Sequence, residues 1–370
     1  MKIVHFIEGI QKAAGTTAFV GRLTEELMKC GNEVTIVVRI FRPESDYVPR
    51  GVRVVVWVPG QPLEIEADIV HIHGMWAPWM HRAFQWAERH GAPIVFSPHG
   101  ALAPWAMHHK WWKKCLPWYL WFRGHIARAA IIHATAEQEA EWTRQLGFTN
   151  EIAVVPLGTD IPETTASHSE AVKYLLFVGR IYPVKGLDLL LKAWARSQAR
   201  TLGWHLVCVG PNQAGYMEEL VDLAQRLGLS VHQASVQACT GADVTFTGAL
   251  FGQEKTQAYL KARGLVLPSY TENFGGVVVD ALAAGVPILV SEKTPWKQVA
   301  NRGCGMIFEL TQTAEVESLN RFFNLVDEAR LERGMRGRVW VQSAYSWVNI
   351  AKQMLEAYKE MENKKEPYSL

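Results

Sequence analysis

The sequence predicts an α/β protein built from two Rossmann-like, doubly wound domains. Three observations lead there. Short β-branched runs alternate with longer amphipathic stretches through both halves, the pattern of parallel sheets covered on both faces. A polar, proline-containing stretch over residues 159–172 lacks periodicity and separates two such alternations. The length, 370 residues, makes two domains the expected count at about 150 residues each. The expected layout is a first domain over 1–165, a second over 166–345, and a C-terminal helix over 346–370 packing back on the first. Domains of this kind bind ligands at the carboxyl ends of their strands, so function is expected in a cleft between the two.

In the first half, strands are predicted over 2–7, 33–40, 53–57, 68–73, 93–97, 130–133 and 152–155. Helical periodicity covers 17–30, 79–90 and 136–146. Thr16 or Thr17 reads as an N-cap for the first helix, and Gly31 stands just past its end. In the second half, strands are predicted over 174–178, 204–209, 244–247, 265–267 and 287–290, with helices over 187–195 and 216–227. A last helical stretch covers 347–361. No fixed-period repeat is present, which excludes a solenoid.

Composition narrows the function classes. Apolar residues make up 49% and charged residues 20%, so disorder is excluded. A formal net charge of +2 gives no global case for nucleic-acid binding. Five cysteines at 30, 115, 208, 239 and 304 form no CxxC pair, and the odd number argues against a disulfide framework. They read as structural thiols in a reducing compartment. The start carries no signal-peptide pattern and no stretch suits a spanning helix, so a cytoplasmic location is expected.

Two loops carry the chemistry. Over 267–287 a strand ends at Pro268, a glycine-containing loop follows, and a helix begins near Gly275. Free N–H groups at that helix start bind anions and hydroxyls, and Gly275 and Gly276 let a ligand approach the backbone. Glu272 and Asp280 supply two carboxylates suited to accepting hydroxyl hydrogen bonds. The second loop runs Gly179-Arg180-Ile181-Tyr182-Pro183-Val184-Lys185-Gly186. Arg180 offers a planar fork to phosphate and Lys185 a point charge. In the first half, His71 and His73 share a strand face, a spacing that suits metal ligation or a pair of hydrogen-bonded imidazoles. The second reading is the favoured one, so no metal site is expected. The loop over 8–17 is not a GxGxxG, which weakens a dinucleotide-dehydrogenase reading.

With Gly-Arg-x4-Lys-Gly at 179–186, Glu272 and Asp280 eight apart, and Ser97-Pro98-His99-Gly100 in the first half, the chain resembles the retaining GT-B glycosyltransferases often called family 4. The resemblance covers nearly the whole length. It implies two domains facing across a cleft and a nucleotide-sugar donor as substrate, with no cofactor and no metal. By the same resemblance Arg180 and Lys185 clamp the donor diphosphate beside Gly179. Glu272 holds sugar hydroxyls, aided by the N–H groups of Asn273, Phe274, Gly275 and Gly276. Asp280 binds the ribose where the family usually has Glu, and His99 faces the reaction centre. Gly15 stands near the point where relatives carry a Gly-Gly pair beside the phosphates or acceptor. No Asp-x-Asp occurs, which fits fixed cations in place of a metal. A nucleotide-sugar epimerase of the same fold and a non-catalytic scaffold are the alternatives.

The segment 104–128 lies in a stretch without acidic residues between Glu88 and Glu137, and interleaves five tryptophans with lysines and arginines. Such a composition suits a bilayer interface. The resemblance implies envelope polysaccharide assembly on a glycan or lipid-linked acceptor. Peripheral contact with the inner face of the membrane is therefore expected through 104–128, and nucleic acid is not.

Overall fold

The computed structural model describes residues 1–10, 15–42, 49–167, 172–235 and 241–363. Residues 11–14 of the N-terminal loop, residues 168–171 of the expected linker, and Cys239 lie outside the described residues. The chain forms two compact units. One comprises Met1–Gly158 with Trp347–Leu370, and the other comprises Thr159–Ser346.

The first unit holds a seven-stranded, all-parallel sheet. Its strands are β1 (Lys2–Gly9), β2 (Glu33–Ile40), β3 (Arg53–Val56), β4 (Ile69–His73), β5 (Ile94–Ser97), β6 (Ile131–Ala134) and β7 (Glu151–Val154), in the order β3-β2-β1-β4-β5-β6-β7. Alternate residues point to opposite faces, and each face is apolar. On one side Val4, Phe6, Val70, Ile72 and Phe96 pack with Trp79 and Phe84 of α2 (Pro78–Arg89). On the other, Ile3, Ile7, Ile69, Val95 and Ile131 meet Phe19 and Leu23 of α1 (Gly15–Lys29) and the C-terminal helix α14 (Trp347–Asn363). That helix buries Ile350, Met354 and Tyr358 there, so its apolar stripe completes the first unit's core. Helix α1 starts at Gly15, so Thr16 and Thr17 sit inside its first turn rather than capping it.

The rest of the first unit comprises α3 (Pro104–His108), α4 (Trp111–Pro117), a π-helical turn (Trp118–Phe122), α5 (Arg123–Arg128) and α6 (Glu137–Gln145). Pro104 opens α3 in its first turn, where its missing N–H costs nothing. Pro117 closes α4.

The second unit holds β8 (Lys173–Val178), β9 (Trp204–Val209), β10 (Val231–Gln233), β11 (Val244–Gly248), β12 (Gly264–Leu267), β13 (Ile288–Ser291) and β14 (Gly305–Phe308). Their order is β10-β11-β9-β8-β12-β13-β14, again all parallel. Helices α7 (Leu187–Arg196), α8 (Tyr216–Arg226), α9 (Gly252–Leu260), α10 (Gly276–Ala283), α11 (Gln298–Asn301), α12 (Gln312–Phe323) and α13 (Asp327–Ala344) complete it. The sequence pattern missed β10 and β14. Both are short edge strands: Val231-His232-Gln233 is half-exposed or exposed throughout and lacks an apolar run, whereas Gly305–Phe308 has only three apolar residues in a row, too few to mark a strand by pattern.

The chain crosses between units at 158/159 and again at 346/347, not at 165/166 and 345/346. Residues 159–166 are tied to the second unit by hydrogen bonds. Thr159 N–H donates to Tyr345 O, Ala166 N–H to Ala284 O, and Arg338 Nη2 to Pro162 O. A segment read as linker from its polarity is therefore anchored through its backbone. Among the thiols, Cys208 and Cys304 are buried, but Cys30 and Cys115 are exposed, so two do not have the structural role expected of them.

Candidate functional site

In the second unit the strand order reverses on either side of β8, whose neighbours are β9 and β12. The loops leaving β8 and β12 therefore flank the switch point of the sheet, where open α/β folds bind ligands. These are the two loops singled out by the sequence. A Cβ on Gly186 would lie 2.0 Å from Pro268 O, and the residue has φ +71°. Only glycine lets the two loops touch here. Tyr270 N–H donates to Val184 O at 2.9 Å, joining them a second time.

That contact brings charges together. Lys185 closes the 3₁₀ turn Pro183–Lys185, and its Nζ lies 2.6 Å from Glu272 Oε2, the side chains being only 14% and 12% exposed. Ser269 Oγ donates to the same oxygen at 3.2 Å. Both described contacts of Glu272 thus fall on Oε2, which leaves Oε1 to accept hydroxyls. The ammonium spends one of its three hydrogens on Glu272. Gly179 belongs to the same cluster: a Cβ there would stand 3.8 Å from Lys185 Cε. Arg180 is exposed, with Nη1 donating to Gln213 Oε1 at 2.9 Å.

Helix α10 starts after Gly275, whose φ is +79°. A side chain at Gly275 would crowd Glu272 Cγ at 3.1 Å and Trp296 Nε1 at 3.2 Å. Phe274 is buried against Trp296 and its carbonyl accepts the Trp296 indole N–H. Phe274 thus anchors the turn, and what it offers a ligand is backbone. Asn273, Gly275 and Gly276 are half-buried in the same turn. Asp280 stands apart in mid-helix, where Oδ1 accepts from Thr159 Oγ1 at 2.7 Å and Oδ2 pairs with Lys255 at 2.7 Å. Both its oxygens already hold partners, and Lys255 and Thr159 had no signal in the sequence. In the same unit Glu315, in the first turn of α12, is fully buried, and among the described residues neither of its oxygens has a partner. Burial, with Asp188 adding, pushes its carboxyl up to about 8.

In the first unit, His99 follows β5 with φ +49°, a left-handed conformation uncommon outside glycine and a mark of functional loops. It is half-buried, and its Nε2 lies 3.0 Å from His73 Nδ1. Gly15 is exposed at the first residue of α1. His71 and His73 belong to a larger buried group with His5 and His133. The last two were missed, because only the strand order and register bring the imidazoles of three strands to one face. The segment 104–128 divides in two. Trp118 and Phe122 are core residues, whereas Trp111 and Trp112 are 62% and 64% exposed, alongside exposed Trp105, Leu116, Tyr119 and Leu120. Among the described residues no helix is long and apolar enough to cross a membrane.

Comparisons with known proteins agree on the architecture. A sequence profile described as glycosyltransferase family 4 matches residues 13–163, and one described as glycosyl transferases group 1 matches residues 172–321. The D-inositol 3-phosphate glycosyltransferase of Nocardia farcinica is 30% identical over 247 residues, which is 62% of this chain and 52% of that protein. The chain spans about half the length of the curated relatives it matches. Among solved structures, sucrose-phosphate synthase from Thermosynechococcus elongatus has TM-score 0.77 at 19% identity, covering 98% of this chain and 100% of that one. Anabaena HepE, solved with UDP and glucose, also has TM-score 0.77, at 16% identity over 97% of this chain and 100% of that one. The two parallel-sheet units match the fold of the GT-B class.

Proposed function

The chain belongs to the group 1, family 4 glycosyltransferases, and from that premise we propose that it moves a sugar from a nucleotide-sugar donor to a hydroxyl of a glycan or lipid-linked acceptor. The observation that carries this reading is the Lys185–Glu272 pair at the switch point, 2.6 Å apart and shielded from solvent. Lys185 retains two ammonium hydrogens for diphosphate oxygens, and Arg180 adds a guanidinium fork from the same loop. Glu272 Oε1 accepts sugar hydroxyls, and the N–H groups at the start of α10 add dipoles aimed at anionic oxygen.

The reaction breaks the bond between the anomeric carbon and the diphosphate oxygen, and its electron pair leaves with the nucleoside diphosphate. Charge growing on that group is stabilised by preorganised Arg180 and Lys185. The acceptor oxygen bonds to the anomeric carbon on the face the leaving group vacates, which retains configuration, and its proton passes to a diphosphate oxygen. No protein nucleophile and no metal are needed in this scheme, since two fixed cations neutralise the diphosphate.

The exposed rings of Trp105, Trp111 and Trp112, with Lys110 and Lys113 interspersed, suit a lipid surface carrying the acceptor at the cytoplasmic face, in envelope polysaccharide assembly. Flotation of the chain with anionic vesicles at low salt tests that surface, and a Trp111→Ser, Trp112→Ser double variant is expected to stay at the bottom of the gradient. Thermal stabilisation by a panel of UDP-, GDP- and ADP-sugars in the presence of a chelator tests the donor site. One donor class is expected to raise the melting temperature. Conversion of that donor, without acceptor, into another nucleotide sugar would establish an epimerase instead, and stabilisation by none would establish a scaffold.

A further inference from the structure

Beneath the candidate catalytic loop of the first unit lies a group of neutral imidazoles whose protons can be counted. His5 on β1, His71 and His73 on β4, and His133 on β6 share one sheet face near the strands' carboxyl ends, and His5 stands in register with His71. All four are buried. They form two separate hydrogen-bonded chains.

The first chain has no freedom. His133 Nε2 lies 2.7 Å from Val155 O, a carbonyl that can only accept, so the proton of His133 is on Nε2. Its Nδ1 must then accept from Ser97 Oγ at 2.6 Å. Ser97 in turn accepts from His71 Nε2 at 2.6 Å, and His71 Nδ1 accepts the hydroxyl hydrogen of Tyr358 at 2.6 Å. Every donor meets an acceptor, and the run ties α14 to the sheet.

The second chain runs from His5 Nδ1 to His73 Nε2 at 2.9 Å, and from His73 Nδ1 to His99 Nε2 at 3.0 Å. It admits two proton arrangements. In one, His5 Nε2 carries a proton, and in the other it carries a bare lone pair. That atom is buried and has no partner among the described residues. A buried N–H with no acceptor is the rarer and costlier defect, so the proton of His5 belongs on Nδ1 and points to His73. His73 then donates to His99, and the proton of His99 is left on Nδ1.

We infer that His5 and His73 are positioning residues that hold His99 as a neutral imidazole offering an N–H, through Nδ1, to an oxygen acceptor on the ligand. On the reading proposed above, that acceptor is a donor-sugar hydroxyl or a phosphate oxygen, and His99 serves as a hydrogen-bond donor rather than a base. Burial pushes His5 and His99 down to about 3, so neither carries a second proton near neutrality. The rings of His73 and His99 stack at 5.3 Å, and Phe19 meets His99 edge-on at 5.7 Å, which limits the ring to this pose. The nitrogens of His5, His71 and His73 lie within 4.8 Å of one another, close enough for a cation. Both nitrogens of His71 and both of His73 are spent in the two chains, however, so the lone pairs a metal needs are in use.

Nitrogen-15 NMR of the full chain labelled at histidine reads the tautomers without substrate. The expected result is Nδ1–H for His5, His73 and His99, and Nε2–H for His71 and His133. A protonated Nε2 on His5 would overturn the inference whatever the enzyme's activity. The kinetic arm compares His5→Leu with His5→Gln, whose amide can restore a donor to His73. His5→Leu is expected to lower kcat about tenfold with KM little changed, the equivalent of one hydrogen bond lost at the reacting end, and His5→Gln to recover most of it. Both variants folded with wild-type kcat would remove the positioning role. A wild-type chain with the expected tautomers but no sugar transfer would overturn the proposed function and leave the relay standing.

Discussion

The two units share seven parallel strands and a switch point beside their central strand, yet they furnish the carboxyl ends of their sheets by opposite means. The second unit sets charges there: Lys185 against Glu272, and Lys255 against Asp280. The first sets uncharged imidazoles joined nitrogen to nitrogen or through Ser97. The difference follows from burial. The ion pairs sit on loops and helices where each charge meets one of opposite sign and part of each side chain stays exposed, so paired charges are tolerable. The imidazoles sit on the sheet face under α1 and α14, where an isolated cation would be costly and a neutral hydrogen-bonded ring is not. On the proposed function, charge suits a unit that grips a diphosphate, and neutrality suits one that holds a ring still.

Acid separates the units most strongly. Burial holds His5 at about 3 and His133 at about 4, with His71 and His73 also well below the usual imidazole value. Native values below the unfolded one mean that stability is full above about pH 6.5 and is lost as pH falls toward the native values. At pH 5 each such imidazole costs roughly 2 kcal/mol. The first unit should therefore unfold before the second on acidification, as read by hydrogen exchange resolved by peptide. Simultaneous loss of protection in both sheets would contradict the contrast.

Lys185→Ala attacks the charged unit. Transfer should fall by about 2–4 kcal/mol in transition-state stabilisation, chiefly in kcat, and Arg180→Ala should fall in the same range. Steady-state kinetics checks this, and unchanged turnover in both would remove the diphosphate assignment. Glu315→Gln gives a smaller effect of opposite pH sense to the imidazoles. Its carboxyl, held at about 8 in the native state, keeps a proton that the unfolded chain releases near pH 4.5. The second unit therefore loses stability as pH rises through that window. Glu315→Gln should abolish the slope and gain on the order of 2 kcal/mol already at pH 6, measured by denaturant melts across pH. Asp280→Glu should do least, keeping kcat/KM within about threefold, because the longer carboxylate can still reach Lys255 and Thr159. A folded, donor-binding but inactive variant would assign Asp280 a role beyond those contacts.

Much of this was legible in the residues. The central strands were read nearly to their ends because continuous apolar runs such as 174–178 and 206–209 have few alternatives. The loops at 179–186 and 267–276 stood out because glycines and charges at a strand-to-helix turn serve backbone approach and anion binding. Asp280 was legible as a carboxylate but not as one already engaged, since Lys255 lies a full element away. His71 and His73 read as a pair, whereas the group of four required β1 to be placed beside β4 and β6 one strand further on, across β5.

By itself the sequence determined the fold class, the two alternations of strand and helix, and the identity of the loops that carry charge. These depend on local periodicity and on residue chemistry within a few positions. The tertiary structure alone decided that Lys185 meets Glu272 on one oxygen and that residues 159–166 anchor to the second unit. It alone decided where the protons of the imidazoles lie. Each of these joins residues far apart in the chain, and their relation is set by strand order and register, which local pattern does not encode.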